Sequence, residues 1–270
     1  MAEATTQSQL TEEMEELSVS SPDSGASVLA EAVARVEGVT KVYGAGATKV
    51  TALDDVTVEF QRGQMTAIMG PSGSGKSTLL HCLAGLDTVT SGRIVVADAD
   101  ISTMSDKELT VLRRDRIGFV FQSFNLIPTL TAERNITLQR RLGRHGVDSD
   151  WFDKVVDILE IRERLDHRPS ELSGGQQQRV AVARALISKP EMIIADEPTG
   201  NLDQASGREV LSFLRRAVNE YGQTVVIVTH DAAAASYADR VIFLADGQVV
   251  GELQHPTTAQ IFERLQELEK

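Results

Sequence analysis

The sequence predicts an α/β protein with a largely parallel core sheet. Short apolar runs rich in β-branched residues alternate with segments of helical periodicity, an order typical of strand–helix–strand units. One run, Met65–Met69, is nearly all apolar, as expected of a central strand covered on both faces. A glycine-rich loop at residues 70–77 follows that run and leads into a helix-forming segment. These observations favour a sheet flanked by helices.

The 270-residue chain is acidic, with 27 Lys and Arg residues against 39 Asp and Glu residues and a net charge of −12. Residues 1–34 hold seven of the acids and no basic residue, so residues 35–270 carry only −5. Nucleic-acid binders gain most of their affinity by neutralising phosphates, which requires a basic surface. We therefore expect no nucleic-acid partner.

Membrane insertion and disulfide bonding are not expected either. No apolar run approaches the roughly 18–20 residues that cross a bilayer, and the N-terminus has neither the basic start nor the apolar stretch of a signal peptide. The single cysteine, Cys82, rules out an intramolecular disulfide and a zinc site built from cysteines. The sequence thus predicts a cytoplasmic protein in which Cys82 is a small buried residue.

The chain begins with an acidic tail, residues 1–33, that we predict to be disordered. Residues 1–27 are rich in Glu, Ser, Thr and Gln and contain no aromatic residue, a composition that buries too little apolar surface to order itself. Leu10, Met14 and Leu17 lie at helical spacing, so a short docking helix is the alternative. A single domain is predicted over residues 34–270.

Strands and helices are predicted in order along that domain. Apolar, β-prone runs bounded by turn residues predict strands at residues 36–43, 52–60, 65–69, 117–121, 192–195, 224–228 and 240–244. Helical segments follow one another without an intervening strand at residues 131–144, 150–160 and 174–187. They predict a helical insertion over about residues 123–185. A last short helix carries Ile261, Leu265 and Leu268 on one face.

Residues 70–77 read G-P-S-G-S-G-K-S and fit the phosphate-binding pattern G-x-x-x-x-G-K-[ST] between a strand and a helix. The glycines let backbone N–H groups approach an anion, and the helix N-terminus adds a favourable dipole. Lys76 is predicted to contact the β- and γ-phosphates, and the Ser77 hydroxyl to bind Mg²⁺. The predicted nucleotide-binding residues here are Gly70, Pro71, Ser72, Gly73, Ser74, Gly75, Lys76, Ser77 and Thr78. By itself the loop leaves kinases, GTPases, helicases and transport ATPases open.

Two adjacent carboxylates follow the predicted strand at residues 192–195. Because side chains alternate along a strand, Asp196 and Glu197 point in different directions and can perform two tasks. Asp196 is placed to hold the Mg²⁺ shell, and Glu197 is placed to face the γ-phosphate and polarise a water. We predict that Glu197 is the catalytic carboxylate.

A second helix N-terminus with exposed backbone N–H groups is predicted at Leu172-Ser173-Gly174-Gly175-Gln176. Ser173 is a helix cap with an available hydroxyl, so this segment is a second anion-binding surface in the same chain. The segment resembles the signature motif of ATP-binding cassette (ABC) proteins. The resemblance extends over about residues 34–253. It implies the ABC ATPase fold. In this fold a P-loop NTPase sheet is joined to an antiparallel β subdomain, and a helical subdomain is inserted after the segment called the Q-loop, here at Gln122.

The resemblance also implies roles for single residues. Tyr43 is similar to the aromatic residue that stacks on adenine, and Gln122 to the Q-loop glutamine that contacts Mg²⁺ and the attacking water. Asp203 lies in D-E-P-T-G-N-L-D, which is similar to the D-loop, and His230 is similar to the switch histidine at the γ-phosphate. ATP and Mg²⁺ are thus the implied cofactors. The implied catalytic residues are Gln122, Glu197 and His230. The implied metal-binding residues are Ser77, Gln122 and Asp196. Within the signature, the implied nucleotide contacts are Ser173, Gly174, Gly175 and Gln176.

Family members enclose each ATP between the phosphate loop of one subunit and the signature of another, so the resemblance implies a homodimer with two sites. It further implies a separate integral membrane permease, which would hold the protein on the cytoplasmic face of the membrane. The segment F-Q-S-F-N-L-I-P-T-L-T-A at residues 121–132 is similar to that of lipoprotein-releasing, macrolide-exporting and haem-exporting ATPases and of the cell-division ATPase. In those relatives ATP closure moves a part of the partner, a mode called mechanotransmission.

Three functions follow from the resemblance. Export or extraction of a hydrophobic or amphiphilic substrate through the permease is favoured. Regulation of cell-wall hydrolases through a permease-like partner without transport is second, and action on nucleic acid or ribosomes is third. Arg134 is a departure, because relatives commonly have Glu before the asparagine that is Asn135 here.

Overall fold

The computed structural model describes residues 31–268, which form two sheets with helices packed against them. The strands are β1 Ala32–Tyr43, β2 Val50–Gln61, β3 Met65–Met69, β4 Ser91–Val96, β5 Ala99–Asp100, β6 Ile117–Phe121, β7 Met192–Asp196, β8 Thr224–Val228, β9 Arg240–Ala245 and β10 Gln248–Gln254. The helices are α1 Lys76–Leu83, α2 Asp106–Arg116, α3 Ala132–Leu142, α4 Ser149–Ile158, α5 Gly174–Leu186, α6 Gln204–Tyr221, α7 Ala232–Ala235 and α8 Thr258–Leu268. Short 3₁₀ helices lie at Gly46–Thr48, Ile101–Thr103, Arg162–Arg164 and Pro169–Glu171.

The larger sheet has six strands in the order β10-β9-β3-β8-β7-β6. The strands from β9 to β6 run parallel, and only β10 at the edge is antiparallel. The smaller sheet has four antiparallel strands in the order β2-β1-β4-β5. The predicted α/β class, with its parallel core sheet and antiparallel subdomain, is confirmed.

Strand β3 lies at the centre of the fold because both of its faces are covered. All five of its residues are buried. Met65, Ala67 and Met69 pack in the same core as helices α3 to α6, whereas Ile68 packs with α1 and the antiparallel sheet. Alternation with period two therefore sends neighbouring residues of one apolar run into two different cores.

The first strand starts earlier than the sequence predicted. Strand β1 begins at Ala32, whereas the domain was expected from residue 34 and the strand from residue 36. Val33 and Ala34 are each 1% exposed, and Ala34 pairs with Val96 of β4. The local pattern missed this start because pairing with a strand about 60 residues away orders it. The predicted disordered tail up to residue 30, including Leu10, Met14 and Leu17, lies outside the described residues.

The insertion between β6 and β7 contains α3, α4 and α5 and no strand. Its joint with the core is built around Trp151 at the start of α4. The Trp151 indole Nε1–H donates to the Leu186 carbonyl at 3.0 Å, and the ring meets Tyr221 at the end of α6 edge-on at 5.2 Å. The Lys189 ammonium lies 5.5 Å from the indole ring. This cluster joins the helical subdomain to the sheet domain.

Two smaller predictions agree with the structure. Ile261 of α8 is fully buried, and Leu265 and Leu268 pack against the same core. Cys82 is 1% exposed, and burial raises the pKa of its thiol to about 11. Among residues 31–268, none of the helices combines the length and hydropathy of a membrane span.

Candidate functional site

Four neighbouring strands bring the predicted catalytic residues to one edge of the parallel sheet. The last residues of β6, β7 and β8 are in register, with Phe121 paired to Asp196 and Asp196 to Val228. Because the strands are parallel, the segments that leave them lie side by side, where open α/β sheets bind their ligands. In spatial order these segments carry Gln122, then Asp196 with Glu197, then His230, then the loop at residues 70–77.

The backbone of the loop passes close to two strands at its glycines. A Cβ on Gly70, whose φ is +148°, would lie 1.9 Å from the Leu244 carbonyl oxygen, and one on Gly75, whose φ is +97°, would lie 2.3 Å from the Ala52 carbonyl oxygen. Both positions therefore require glycine. Helix α1 begins directly after Gly75, and no side chain caps its N-terminus. Its first backbone N–H groups are thus left for an anion.

Lys76 folds back over this loop. Its Nζ donates to the carbonyl oxygens of Gly70 at 2.9 Å and Pro71 at 2.7 Å. Burial lowers the pKa of Lys76, although the nearby charges of Glu197 and Asp196 oppose that shift. The loop therefore holds a partly desolvated cation against its own carbonyls, a position that a phosphate oxygen would stabilise further.

The two carboxylates differ in environment. Asp196 is half-buried, and burial raises its pKa; the Glu197 charge acts in the same direction and the charges of His81 and Lys76 against it. Glu197 has a left-handed φ of +46°. Its Oε1 lies 2.8 Å from the His230 Nδ1, while the His230 side chain is 77% exposed. The structure thus brings Glu197 and His230 into direct contact at the sheet edge.

Gln122 is tied to the segment that follows Glu197. Its Nε2 donates to the Asn201 Oδ1 at 3.2 Å, and the Asn201 Nδ2 donates back to the Gln122 carbonyl at 3.0 Å. This reciprocal pair fixes the chain after β6 to the chain after β7. This contact, together with the sheet register, holds Gln122 next to the chain that follows Glu197.

Tyr43 lies beside the loop and is 41% exposed. Its hydroxyl donates to the Asp87 Oδ2 at 2.6 Å, and the Lys41 ammonium donates to the Asp87 Oδ1 at 2.6 Å while lying 4.7 Å from the Tyr43 ring centroid. Burial and the hydrogen bond with Asp87 raise the pKa of Tyr43, and the Thr78 hydroxyl acts against that shift. The exposed ring is thus held next to the helix that carries Thr78.

The signature segment forms a capping box at the start of α5. The Ser173 N–H donates to the Gln176 Oε1 at 2.9 Å, and the Gln176 N–H donates to the Ser173 Oγ at 3.3 Å. The hydroxyl that was expected to be available is therefore already used as an acceptor, because it satisfies the helix N-terminus. Gly174 lies against Leu202, and Gly175 against Ser206 at the start of α6.

Asp203 caps α6. Its Oδ1 accepts from the N–H groups of Ala205 and Ser206 at 3.0 and 3.1 Å, and its Oδ2 from the Ser206 hydroxyl at 2.7 Å. These hydrogen bonds, led by that of the Ser206 hydroxyl, lower the pKa of Asp203. Its contacts within the described part of the chain are thus those of a helix cap.

The predicted site divides into two groups within one subunit. Gln122, Asp196, Glu197, His230 and Lys76 meet at the sheet edge, with Tyr43 at its side. No hydrogen bond or ion pair among residues 31–268 joins the signature at residues 173–176 to the loop at residues 70–78. Sequence reasoning assigned no role to the supporting residues Asp87 and Gln178, whose partners Tyr43 and Phe121 are 44 and 57 positions away in the chain.

The fold and the edge residues define a P-loop nucleotide hydrolase. A family model described as ABC transporter matches residues 53–200. An uncharacterized ABC transporter ATP-binding protein of Methanocaldococcus jannaschii, MJ0796, is 44% identical over 224 residues, which cover 81% of this chain and 95% of that protein. The chain belongs to the ABC transporter ATP-binding family, and it is an ATPase.

Two further relatives extend the comparison. The macrolide export ATP-binding/permease protein MacB of Bdellovibrio bacteriovorus is 43% identical over 231 residues, and this chain spans only 35% of its length. A dimeric structure of a post-hydrolysis state of the MJ0796 cassette, bound to ADP and Pi, superposes with a TM-score of 0.74 at 41% identity, covering 83% of this chain and 99% of that one.

Proposed function

We propose that this chain is the ATP-hydrolysing subunit of an ABC transporter, and that it dimerises on ATP to drive a separate membrane permease. The observation that carries the proposal is the meeting of Gln122, Glu197, His230 and the loop of Lys76 at one sheet edge. The favoured task is export or extraction of a hydrophobic or amphiphilic substrate by mechanotransmission. The chain would then lie on the cytoplasmic face of the membrane, held there by the permease.

Hydrolysis requires a base for water beside the γ-phosphate. Glu197 is the candidate because its carboxylate lies at the edge next to the loop and is held 2.8 Å from His230. Lys76 and the N-terminus of α1 would bind the phosphates, and Tyr43 would stack on the adenine. Ser77, Gln122 and Asp196 would hold Mg²⁺, which would offset the charge of the phosphates.

A homodimer would bring together the signature and the phosphate loop, which lie apart in the single subunit. The signature at residues 173–176 presents a helix N-terminus but contacts none of residues 70–78 through a hydrogen bond or ion pair in the described subunit. We propose that the signature of one subunit covers the ATP on the loop of the other. The dimeric structure of the relative MJ0796, bound to ADP and Pi, supports this arrangement.

The permease contact is proposed at the segment between β6 and α3. Ile127 is 39% exposed there, and the loop is braced by Asn135, which bonds the backbone of Ile127 at 2.7 and 3.2 Å. Arg134 is exposed beside it, where the family commonly has Glu, so the partner surface differs in charge. The relative MacB of Bdellovibrio bacteriovorus is a macrolide export ATP-binding/permease protein, which supports a permease as the partner of this chain.

The hydrolysis proposal is tested with Glu197→Gln. This variant should lose turnover by roughly a hundredfold or more, because a general base contributes about 10²–10⁴ to rate. It should still bind ATP and should accumulate as a dimer in ATP, measured by light scattering after gel filtration. A variant that hydrolyses ATP at the wild-type rate would refute the assignment.

The permease proposal is tested by co-purification from membranes in mild detergent. Ile127→Asp should abolish recovery of a membrane protein with the chain while leaving basal ATPase activity unchanged. Phe262→Asp is the matched control, because Phe262 is a comparably exposed apolar residue on α8. Equal recovery with wild type and Ile127→Asp would contradict a permease contact at this segment. A recovered partner that acts on cell-wall hydrolases would favour the regulatory alternative.

A further inference from the structure

Gln178 is a buried amide on the signature helix α5 that contacts both catalytic segments. The residue is 0% exposed. Its Nε2 donates to the carbonyl oxygen of Pro198 and, at 3.5 Å, to that of Phe121. One amide group thus links three elements: α5, the end of β6 and the chain after β7.

The two carbonyls belong to residues next to the predicted catalytic residues Gln122 and Glu197. Phe121 directly precedes Gln122, and Pro198 directly follows Glu197. β6 and β7 are neighbours in the sheet, with Phe121 in register with Asp196. The Gln178 amide therefore bridges the carbonyl of the residue before Gln122 and the carbonyl of the residue after Glu197.

The segments held in this way have backbone conformations that need support. Glu197 has a φ of +46°, and Phe124 and Asn125 have φ of +59° and +49°. Left-handed conformations at non-glycine residues cost about 1–3 kcal/mol each and persist where surrounding contacts hold them. Arg184, six positions further along α5, donates to the carbonyls of Phe124 and Asn125 at 2.9 and 2.6 Å. The same helix thus holds both strained segments.

Stability alone does not account for Gln178. Its Oε1 is buried and has no hydrogen-bond partner among the described residues. A buried unsatisfied acceptor costs about 1–3 kcal/mol, which offsets what the donated bonds contribute. A methionine of similar length would fill the same space without that cost but would lose the two donated bonds, so the two effects roughly cancel in stability. The bonds to Phe121 and Pro198 therefore matter chiefly for where they place the backbone.

We propose that Gln178 is a positioning residue that sets the spacing between Gln122 and Glu197 and couples it to the signature helix. The inference rests on the proposed roles of those two residues in hydrolysis. A displacement of α5, for example when the signature meets ATP on the partner subunit, would be passed through this amide to both segments. Because Gln178 is fully buried, it would act through these segments and not on ATP or water directly.

The test compares Gln178→Met with Gln223→Met. Gln223 is a matched control because it is also buried and also donates to a proline carbonyl, that of Pro190 at 2.9 Å. It lies at the amino ends of the parallel strands, directly before the first residue of β8, whereas the predicted catalytic residues lie at the carboxyl ends. Gln178→Met should lower kcat by about tenfold to a hundredfold, as expected for misplacement of reacting groups by about 1 Å. KM for ATP and Tm should stay near wild type, and Gln223→Met should keep wild-type kcat.

A second variant decides the question if Gln178→Met does not fold. Gln178→Glu keeps the size of the side chain, and its carboxyl donates one hydrogen bond only when protonated. The ratio of its kcat to that of wild type should therefore fall as pH increases. A ratio that stays constant with pH would overturn the proposal.

The remaining outcomes separate this inference from the proposed function. Suppose that Glu197→Gln is inactive, as the proposed function requires. The positioning role is then overturned if Gln178→Met keeps the wild-type kcat, or if Gln223→Met loses as much kcat as Gln178→Met. If Glu197→Gln itself hydrolyses ATP normally, the proposed function fails first, and the positioning role falls with it.

Discussion

Asp87 shows how one charged residue can hold a binding group in place. Its two carboxylate oxygens accept separately from Lys41 and from the Tyr43 hydroxyl, each at 2.6 Å. Burial acts to raise the pKa of Asp87, but the hydrogen bonds from Lys41 and Tyr43 outweigh it and leave the pKa below its ordinary value. The predicted adenine-stacking ring is therefore anchored at its hydroxyl end by an ionised carboxylate.

This anchor makes stability depend on pH in a defined direction. Because the folded-state pKa of Asp87 lies below the unfolded value of about 3.9, its contribution is full above that value and is lost as pH falls through the folded pKa. We expect the difference in free energy of unfolding between wild type and Asp87→Asn to stay constant above about pH 5 and to shrink as pH falls from about 4 toward 2. Urea titrations of both proteins at several pH values measure this difference in unfolding free energy. A difference that does not change with pH would contradict a stabilising role of the ionised Asp87.

At the scale of elements, the phosphate loop is fitted between two strands. Gly70 meets the backbone of β9 and Gly75 meets the backbone of β2, so the loop joins the parallel sheet to the antiparallel one. Backbone atoms cannot move aside as a flexible side chain can. The shape of the anion cradle therefore depends on both sheets at once.

Gly75→Ala should be the more damaging of two otherwise similar substitutions. Gly222, the C-cap of α6, has a left-handed φ of +63° and no atom within 4 Å of a Cβ placed there. Gly222→Ala should therefore cost only the left-handed strain, about 1–2 kcal/mol. Gly75→Ala should cost clearly more and should also weaken ATP binding, measured by chemical unfolding and calorimetric titration. Equal unfolding free energies for the two variants would refute the role of the strand contact.

Elements with a strong local pattern could be predicted from the sequence, and others could not. The fully apolar strands β3 and β8 begin and end at the predicted residues, because burial on both faces leaves no doubt about their character. Helix α2 was missed because it is mostly polar and buries only Leu109 and Leu112. Its Ser105–Glu108 capping box was the available sequence signal. Strand β4 was missed because only its second half is buried.

The predicted site residues belong to short motifs, and their supports do not. Lys76 and Glu197 could be found because each belongs to a short motif that follows a β-rich run, where chemistry and local pattern coincide. Gln178 and Asp87 act through partners brought near by the sheet topology. No local pattern distinguishes them from ordinary polar residues, so only the three-dimensional arrangement identifies them.

For the whole molecule, the charge balance has a different meaning from the one that composition suggests. The net charge of −12 argued against a nucleic-acid partner, yet seven of the acids precede residue 35. The ATP site gathers Lys76 and the N-terminus of α1 in a domain that is only mildly acidic. Binding of a polyanion is thus a matter of local geometry, and overall charge does not oppose it.

The joint at Trp151 has a practical consequence. Trp151 is the only tryptophan of the chain, and its indole ring lies against Tyr221 and Lys189 where the helical insertion meets the sheet domain. Indole emission responds to the polarity and charge around the ring. The unlabelled protein therefore carries one intrinsic fluorescent probe at this joint, and stopped-flow fluorescence can test whether adding ATP changes the surroundings of the indole ring.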